Sequence, residues 1–128
     1  LCFAAMHHIP AYEKRLQLVR QVREFLVEGG SFIHSNWQFQ HSPRLVARIQ
    51  PWSQIGLQAE CLEEGDTLLD WRYALPGQSE QVGYRYVHRF SEDEFERLAQ
   101  EGGFEIKDKF ESDGEGGRLG LYQIWQAL

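Results

Sequence analysis

The sequence predicts an α/β fold, and three observations lead to that prediction. An apolar segment at residues 1–6 is followed by a helix-like segment and then by a strand-like segment at residues 31–37. A strand, a helix and a strand in this order favour a right-handed crossover between two parallel strands. Residues 91–128 read as a helix followed by two strands, which predicts a terminal antiparallel hairpin.

Length and composition fit one globular domain of 128 residues, 42% of them hydrophobic and 25% charged. The net charge of -6 argues against a generic nucleic-acid-binding protein, whose affinity comes mostly from neutralising phosphates. No apolar run is long enough to form a transmembrane helix, so we expect no membrane partner. With only two cysteines, we expect a cytoplasmic, reducing environment.

The first two strands and the helix between them are predicted from uniform and periodic apolar patterns. Residues 1–6 are continuously apolar, as in a strand buried on both faces of a parallel sheet. Pro10 suits the first turn of the helix, and Gly29-Gly30 suits its end. Because a parallel strand needs neighbours from other segments, we expect a larger fold whose N-terminal part precedes this chain. The helix would bury one stripe of side chains: Leu18, Val19, Val22, Phe25 and Leu26.

Residues 38–90 break this alternation and predict an inserted cap, made of a short helix and a long hairpin. Along the returning strand, Tyr84, Tyr86 and His88 would share one face, and Arg85, Val87 and Arg89 the other. The last segment, 91–128, opens with Ser91 and Glu94 at capping-box spacing, flanked by Phe90 and Phe95 as a hydrophobic staple. Its final strand is apolar on both faces and should lie inside the sheet.

The segment Cys2-Phe3-Ala4-Ala5-Met6-His7-His8-Ile9-Pro10, followed by a helix and Leu26-Val27-Glu28-Gly29-Gly30-Ser31-Phe32-Ile33, is similar to the second half of class I S-adenosylmethionine-dependent methyltransferases. Gly102-Gly103-Phe104-Glu105-Ile106 resembles that family's entry into its sixth strand. The resemblance covers residues 1–37 and 91–128. It implies the C-terminal half of a Rossmann-like sheet, and S-adenosylmethionine as the cofactor of the complete protein.

A narrower resemblance lies in the inserted cap. Gly65-Asp66-Thr67-Leu68-Leu69-Asp70-Trp71 and Tyr84-Arg85-Tyr86-Val87-His88-Arg89-Phe90 are similar to elements of the wobble-uridine tRNA carboxymethyl methyltransferases. Asp70 stands where that family has a proline, and Val87 shifts its aromatic pattern. The resemblance implies tRNA as methyl acceptor, with a small molecule as the other acceptor class.

The family resemblance also implies site residues. Phe3 and Ala4 would approach the cofactor through their backbone, and His8 would lie near the reacting centre as the catalytic candidate. The glycine-rich loop and the acidic residue that hold the cofactor in this family are absent from the chain. We therefore expect the chain alone to bind S-adenosylmethionine weakly and to be inactive.

Substrate-binding candidates come from the strand ends and from the cap. Asn36 and Trp37 end the second strand, where open α/β sheets bind ligands, and they offer an amide and a stacking face. Arg85, Tyr86 and His88 are the candidates in the cap. Each has a structural alternative: Trp37 as a cover of the core, and the cap residues as parts of a solvated hairpin in which arginines such as Arg72 pair with Asp70 or Glu80.

The histidines do not predict a metal site. His7 and His8 are adjacent, so on a strand they would point apart, and no cysteine–histidine cluster has zinc spacing. His34, inside the second strand, is expected to be a packed, hydrogen-bonded residue. A carboxylate acceptor would need no general base, whereas an amine or hydroxyl acceptor would make His8 or His88 the candidate base.

The alternative to a methyltransferase is a non-catalytic remnant of that fold that binds a partner through the cap. An unpaired first strand would also permit pairing with a second copy of the chain.

Overall fold

The computed structural model describes all 128 residues, which form seven strands and three α-helices. The elements in chain order are β1 (Cys2–Phe3), α1 (Tyr12–Glu24), β2 (Ser31–Trp37), α2 (Pro43–Val46), β3 (Ile49–Gln50), β4 (Asp66–Tyr73), β5 (Gln81–His88), α3 (Glu92–Gly102), β6 (Phe104–Ser112) and β7 (Gly120–Ala127). None of the helices combines the length and the apolar character needed to cross a membrane.

The main sheet has the strand order β1-β2-β7-β6. β1 runs parallel to β2, and β7 is antiparallel to both of its neighbours. The predicted α/β fold with a terminal antiparallel hairpin is confirmed, and β7 lies inside the sheet because its two apolar faces both need cover.

The core of this sheet lies between its strands and the helices α1 and α3. Trp125 of β7 is fully buried, and its ring contacts the rings of Phe32 and Phe104 on the two neighbouring strands. The two helices pack closely because Gly102, at the end of α3, leaves room for Val19 of α1. The remaining buried hydrophobic residues of this cluster are Met6, Leu16, Phe95, Leu98, Ala99 and Ala127.

The inserted segment forms a second, antiparallel sheet with the order β3-β4-β5, which we call the cap. Its long hairpin pairs Asp66 with His88 at one end and Tyr73 with Gln81 at the other. The predicted helix-plus-hairpin insertion is confirmed. One face of the hairpin, carrying Leu69 and Val87, packs on Phe39 in the chain that follows β2.

The first strand is shorter and more exposed than predicted. Only Cys2 and Phe3 pair with β2, and Ala4 then adopts a left-handed conformation with φ of 51°. Residues Met6–His8 form a 3₁₀ turn rather than more strand. Phe3 is 51% exposed, so the expectation of burial on both faces is wrong for this strand as it stands in the chain.

The first helix also ends earlier than the glycine pair suggested. It stops at Glu24, and Phe25 lies beyond its end with 89% of its surface exposed, although the periodic stripe had placed it in the core. The stripe continues in sequence after the helical backbone has ended, so Phe25 leaves the core although Leu26 still packs against it.

At the start of α3, only one of the two hydrogen bonds of the predicted capping box forms. Ser91 Oγ accepts a hydrogen bond from the Glu94 N–H at 3.1 Å, and the rings of Phe90 and Phe95 stack at 4.5 Å. The reciprocal bond is missing, because the Glu94 carboxylate is bound instead by His88 and by Arg15 of α1. A guanidinium holds a carboxylate more strongly than a backbone N–H does.

Candidate functional site

The candidate site lies at the carboxyl ends of β1 and β2, where the cap meets the main sheet. His7 and His8 lie in the turn after β1, and Trp37 ends β2. Strand β5 reaches this point from the cap, since His8 contacts the backbone of Tyr86. Ligands of open α/β sheets bind at this edge.

His7 and His8 do not point apart, as had been expected from a strand. Their ring centroids are 4.2 Å apart, because a 3₁₀ turn places successive side chains closer than the alternation of a strand does. The Trp37 indole stacks on His7 at 5.0 Å and meets His8 edge-on at 5.6 Å. The three rings form one aromatic cluster.

Hydrogen bonds to the backbone fix the proton positions on this histidine pair. His8 Nδ1 lies 3.0 Å from the carbonyl oxygen of Tyr86, so Nδ1 must carry the proton because a carbonyl only accepts. His7 Nδ1 accepts a hydrogen bond from the Trp37 N–H at 3.2 Å, so in neutral His7 the proton is on Nε2. The two neighbours therefore have opposite tautomers.

His7 is a neutral residue in the folded protein. It is fully buried, and its Nε2 has no hydrogen-bond partner. Burial, then the neighbouring His8 and Arg85, lower the pKa of His7 to about 3. His8 is only partly buried, so the two adjacent imidazoles have different access to solvent.

Asn36 connects this pair to the sheet and does not offer a free amide. Its Oδ1 accepts from the His7 N–H at 3.2 Å, and its side-chain nitrogen lies 3.2 Å from His34 Nδ1. His34 is packed against Trp125 as expected, and burial lowers its pKa to about 3. The structure thus places Asn36 behind the site, as a support for His7.

Arg85 is a cation between two indoles. Its guanidinium carbon lies 5.0 Å from the ring centroid of Trp71 and 5.7 Å from that of Trp37. No carboxylate pairs with it, whereas Arg72 pairs with Asp70 at 3.3 Å and Glu80 at 3.5 Å. Stacking on aromatic faces holds such a group in place while its N–H donors remain available.

Tyr86 and His88 are brought together in a second place, a buried network beneath the cap. Tyr86 donates its hydroxyl proton to Asp66 at 2.6 Å. His88, only 1% exposed, lies between Asp66 at 2.8 Å and Glu94 at 2.7 Å. Burial and the bond to Asp66 both raise the pKa of Tyr86. Neither side chain is free to contact an acceptor in this arrangement.

The cation of this network is Arg15 of α1. It is 1% exposed and pairs with Glu63 at 2.6 Å and with Glu94 at 3.0 Å. Sequence reasoning missed Arg15, Glu63, Asp66 and Glu94. A signal was present, because Arg15 lies four residues before Val19, on the buried stripe of the helix.

Glu63, Asp66 and His88 also place one possible metal-ligand atom each within 4.8 Å of one another. The oxygens of Glu63 already bind Arg15 and the Tyr12 N–H, and Asp66 already accepts from Tyr86. A divalent cation here would have to displace a buried guanidinium. The arrangement is therefore an ion network whose positive charge the chain supplies itself.

The two residues expected beside the cofactor lie at the edge of the main sheet. Phe3 has a half-exposed ring, 5.9 Å from that of Tyr122. The Ala4 N–H donates to the carbonyl and hydroxyl oxygens of Ser35 at 3.0 and 3.1 Å, so it is not available to a ligand. These residues fit one side of a cofactor site, through apolar contact and through the remaining backbone.

Comparison with solved structures identifies the architecture. The chain is similar to an S-adenosylmethionine-dependent methyltransferase from Clostridium acetobutylicum, with a TM-score of 0.68 and 13% identity over 98% of this chain and 56% of that one. The CcbJ methyltransferase from Streptomyces caelestis gives a TM-score of 0.62 and 15% identity over 99% and 58%. A methyltransferase from Methanosarcina mazei gives 0.61 and 19% over 98% and 57%.

No protein-family model matches the sequence, and no curated protein matches it either. The chain spans a little over half the length of the three solved structures. With identities below 20%, the similarity concerns the fold. The chain therefore has the fold of about half of an S-adenosylmethionine-dependent methyltransferase.

Proposed function

We propose that the protein containing this chain transfers a methyl group from S-adenosylmethionine to an acceptor bound between the cap and the carboxyl ends of β1 and β2. The observation that carries the proposal is the position of His8, Trp37 and Arg85, which lie together at the ligand-binding edge of a methyltransferase-like sheet. Bound S-adenosylmethionine would supply an electrophilic methyl group on a sulfonium.

The support for this cofactor is structural. Each of the three compared structures is an S-adenosylmethionine-dependent methyltransferase or a methyltransferase, and the similar CalS10 from Micromonospora echinaspora was solved with S-adenosylmethionine bound. In this chain, Phe3 ends the strand that would border the cofactor, Ala4 follows it, and His8 lies just beyond them. We propose Phe3 and Ala4 as cofactor contacts and His8 as the residue nearest the transferred methyl group.

The residues of the cap and of β2 divide into two roles. Trp37 and Arg85 would contact the acceptor, because both present partly exposed faces beside His8. Asn36, Tyr86 and His88 would not contact the acceptor, since their polar atoms are already bound inside the protein. They would instead hold the contacting residues in place. In-line methyl transfer depends mostly on such positioning and on the exclusion of water.

We propose a small molecule as the leading acceptor class. CalS10 is an amino pentose methyltransferase, and the site described here offers one cation, two indoles and one partly exposed imidazole rather than an extended basic surface. The second candidate is the carboxymethyl group of a tRNA wobble uridine. The half-exposed Trp71 beside Arg85 favours it, because an indole next to a guanidinium can stack on a base and bind a phosphate.

Calorimetry with S-adenosylmethionine tests the proposal. The full-length protein should bind one equivalent, and the Phe3→Ala variant should bind more weakly. Phe25→Ala is the matched control, since Phe25 is an exposed phenylalanine outside the site. Residues 1–128 alone should bind weakly, because half a pocket leaves the ligand with few polar contacts.

Full-length protein that binds no S-adenosylmethionine would contradict the proposal and favour the non-catalytic, partner-binding alternative. Pull-down through the cap would then be compared between the unmodified protein and a Trp71→Ser variant.

A further inference from the structure

The adjacent imidazoles of His7 and His8 hold their protons on opposite nitrogens, and the backbone enforces both states. The Tyr86 carbonyl requires a proton on His8 Nδ1, and the Trp37 N–H requires a lone pair on His7 Nδ1. Because a neutral imidazole carries one proton, the lone pair of His8 is on Nε2 and the proton of His7 is also on Nε2.

Only one member of the pair can take up a proton. His7 is fully buried, its pKa is lowered, and its Nδ1 is occupied by a backbone donor. His8 is partly exposed, and its Nε2 makes no hydrogen bond within the chain. The third histidine near the site, His88, is excluded as a base because carboxylates bind both of its nitrogens.

We propose that the cap holds His8 as the Nδ1–H tautomer so that Nε2 serves as general base for an acceptor that must lose a proton, an amine or a hydroxyl. This inference rests on the proposed methyl transfer and names its acceptor class. His7 is the neutral, fully buried neighbour whose ring contacts those of His8 and Trp37.

The reaction balances with these groups. The acceptor's lone pair forms the new bond to the methyl carbon, and the sulfonium–methyl bond breaks with its electron pair going to sulfur. The acceptor's proton passes to His8 Nε2, which becomes an imidazolium and then releases the proton to water. A carboxylate acceptor has no proton to lose, so it would make no use of this arrangement.

The cap takes part in holding His8 as the Nδ1–H tautomer. Tyr86 supplies the carbonyl that selects the tautomer, and its own hydroxyl is held by Asp66 in the buried network. The network therefore positions the residue that orients the base, in the way that a second group orients a catalytic imidazole elsewhere. His8 and Tyr86 are 78 residues apart in sequence. The cap must therefore be docked on the main sheet for this hydrogen bond to select the tautomer of His8.

Nitrogen NMR of the full-length protein labelled with ¹⁵N-histidine tests the tautomers without any acceptor. The expected result is a protonated Nδ1 and an unprotonated Nε2 on His8, and the reverse on His7. His7→Gln and His8→Asn variants assign the signals. A His8 that carries its proton on Nε2, or that exchanges between both tautomers, overturns the proposal.

The His8→Asn variant tests the base. The asparagine amide can still donate to the Tyr86 carbonyl, so the cap stays docked, but no basic nitrogen remains. With radiolabelled S-adenosylmethionine and an amino sugar as probe, kcat should fall about 100-fold or more while the KM of the amino sugar changes little. Total tRNA is the carboxylate-bearing probe.

The results of these two measurements support or overturn the proposal as follows. An unchanged kcat in folded His8→Asn, or transfer to the carboxymethyl groups of tRNA and not to the amino sugar, overturns the proposal. If neither probe is methylated, the tautomer measurement decides alone. Failure of the methyl-transfer proposal itself would be recognised separately, as a full-length protein that binds no S-adenosylmethionine.

Discussion

The guanidinium of Arg15 lies 2.6 Å from the carboxylate of Glu63, and this contact joins the first helix to the loop between β3 and β4 of the cap. The arginine is 1% exposed and the glutamate 37% exposed, so the pair reaches from the interior to the surface. Burial would lower the pKa of Arg15, but its bonds with Glu63 and Glu94 outweigh burial and raise it. The Arg15–Glu63 contact thus helps to hold the cap in place, in addition to the apolar packing of Leu69 and Val87 on Phe39.

Replacing Arg15 with methionine should destabilise the protein by about 3 kcal/mol, because the carboxylates of Glu63 and Glu94 would lose a buried partner. Urea unfolding measures the loss. Lys14→Met is the matched control: it removes an exposed cation from the same helix and should change the free energy of unfolding by less than about 0.5 kcal/mol. Equal effects of the two substitutions would contradict a role for Arg15 in joining the cap.

Removing the hydroxyl of Tyr86 should cost about 1–3 kcal/mol of unfolding free energy, because Asp66 would lose a hydrogen bond beneath the cap. Tyr86→Phe keeps the ring and the carbonyl that binds His8. Tyr84→Phe serves as comparison, since Tyr84 is 45% exposed on the same face of β5 and its hydroxyl makes no hydrogen bond within the chain. Chemical denaturation of both variants in parallel gives the difference, and a Tyr86→Phe protein as stable as the unmodified one would argue against the network.

Local patterns predicted most of the main sheet, but the first strand is shorter and more exposed than its apolar run suggested. The strand at Ser31–Trp37 is read from its position after the helix-ending glycines, and the N-cap at Ser91 is read from capping chemistry. The buried network was not predictable in this way. Its bonds join Arg15 to Glu63 and Glu94, which are 48 and 79 residues away, and a charged residue on a helix is normally assigned to the solvent face.

The same limit applies to the histidine pair. The family resemblance predicts that His8 lies near the reacting centre, but its tautomer depends on the Tyr86 carbonyl, and a backbone acceptor cannot be recognised in the sequence. The expectation that His7 and His8 diverge failed because the strand ends at Phe3 and a 3₁₀ turn follows. A turn of three residues between a strand and a helix lacks the periodicity by which sequence patterns are recognised.

Stability should fall as the pH drops below about 6.5, because burial lowers the pKa of His7 and of His34 to about 3. Between those values the unfolded chain binds protons that the folded chain does not, so each histidine contributes stability that is present above pH 6.5 and lost towards pH 3. The slope should be roughly 1.4 kcal/mol per pH unit for each histidine.

Urea unfolding at a series of pH values from 7.5 to about 4.5 measures this slope. His34→Gln should reduce it by about half, because one of the two buried histidines is then removed. A stability that is flat across this range would mean that the two histidines are protonated in the folded protein.

The contact between the two long helices should not tolerate a methyl group at Gly102. A Cβ there would overlap Cγ1 of Val19, so Gly102→Ala should destabilise by about 1–3 kcal/mol although alanine favours helices. In the double variant Gly102→Ala/Val19→Ala the overlap is gone, and the coupling energy between the two substitutions should be favourable. Gly116→Ala is the control, since a Cβ at Gly116 meets nothing within 4 Å. Additive effects of the two substitutions would place the helices farther apart.

Arg85 and Arg89 together distinguish the two acceptor classes. Arg85 is held between Trp37 and Trp71 beside His8, whereas Arg89 is exposed just beyond the end of β5. If the acceptor is a small molecule, Arg85→Met should raise its KM and Arg89→Met should have no effect. If the acceptor is tRNA, both substitutions should weaken binding, and each should reduce the slope of log K against log salt by about 0.7–0.9 for the lost phosphate contact.

Fluorescence anisotropy with labelled tRNA at several salt concentrations gives this slope. Lys14→Met, on the exposed side of α1, controls for net charge. A tRNA affinity that neither arginine changes would remove the RNA candidate and leave the small-molecule acceptor.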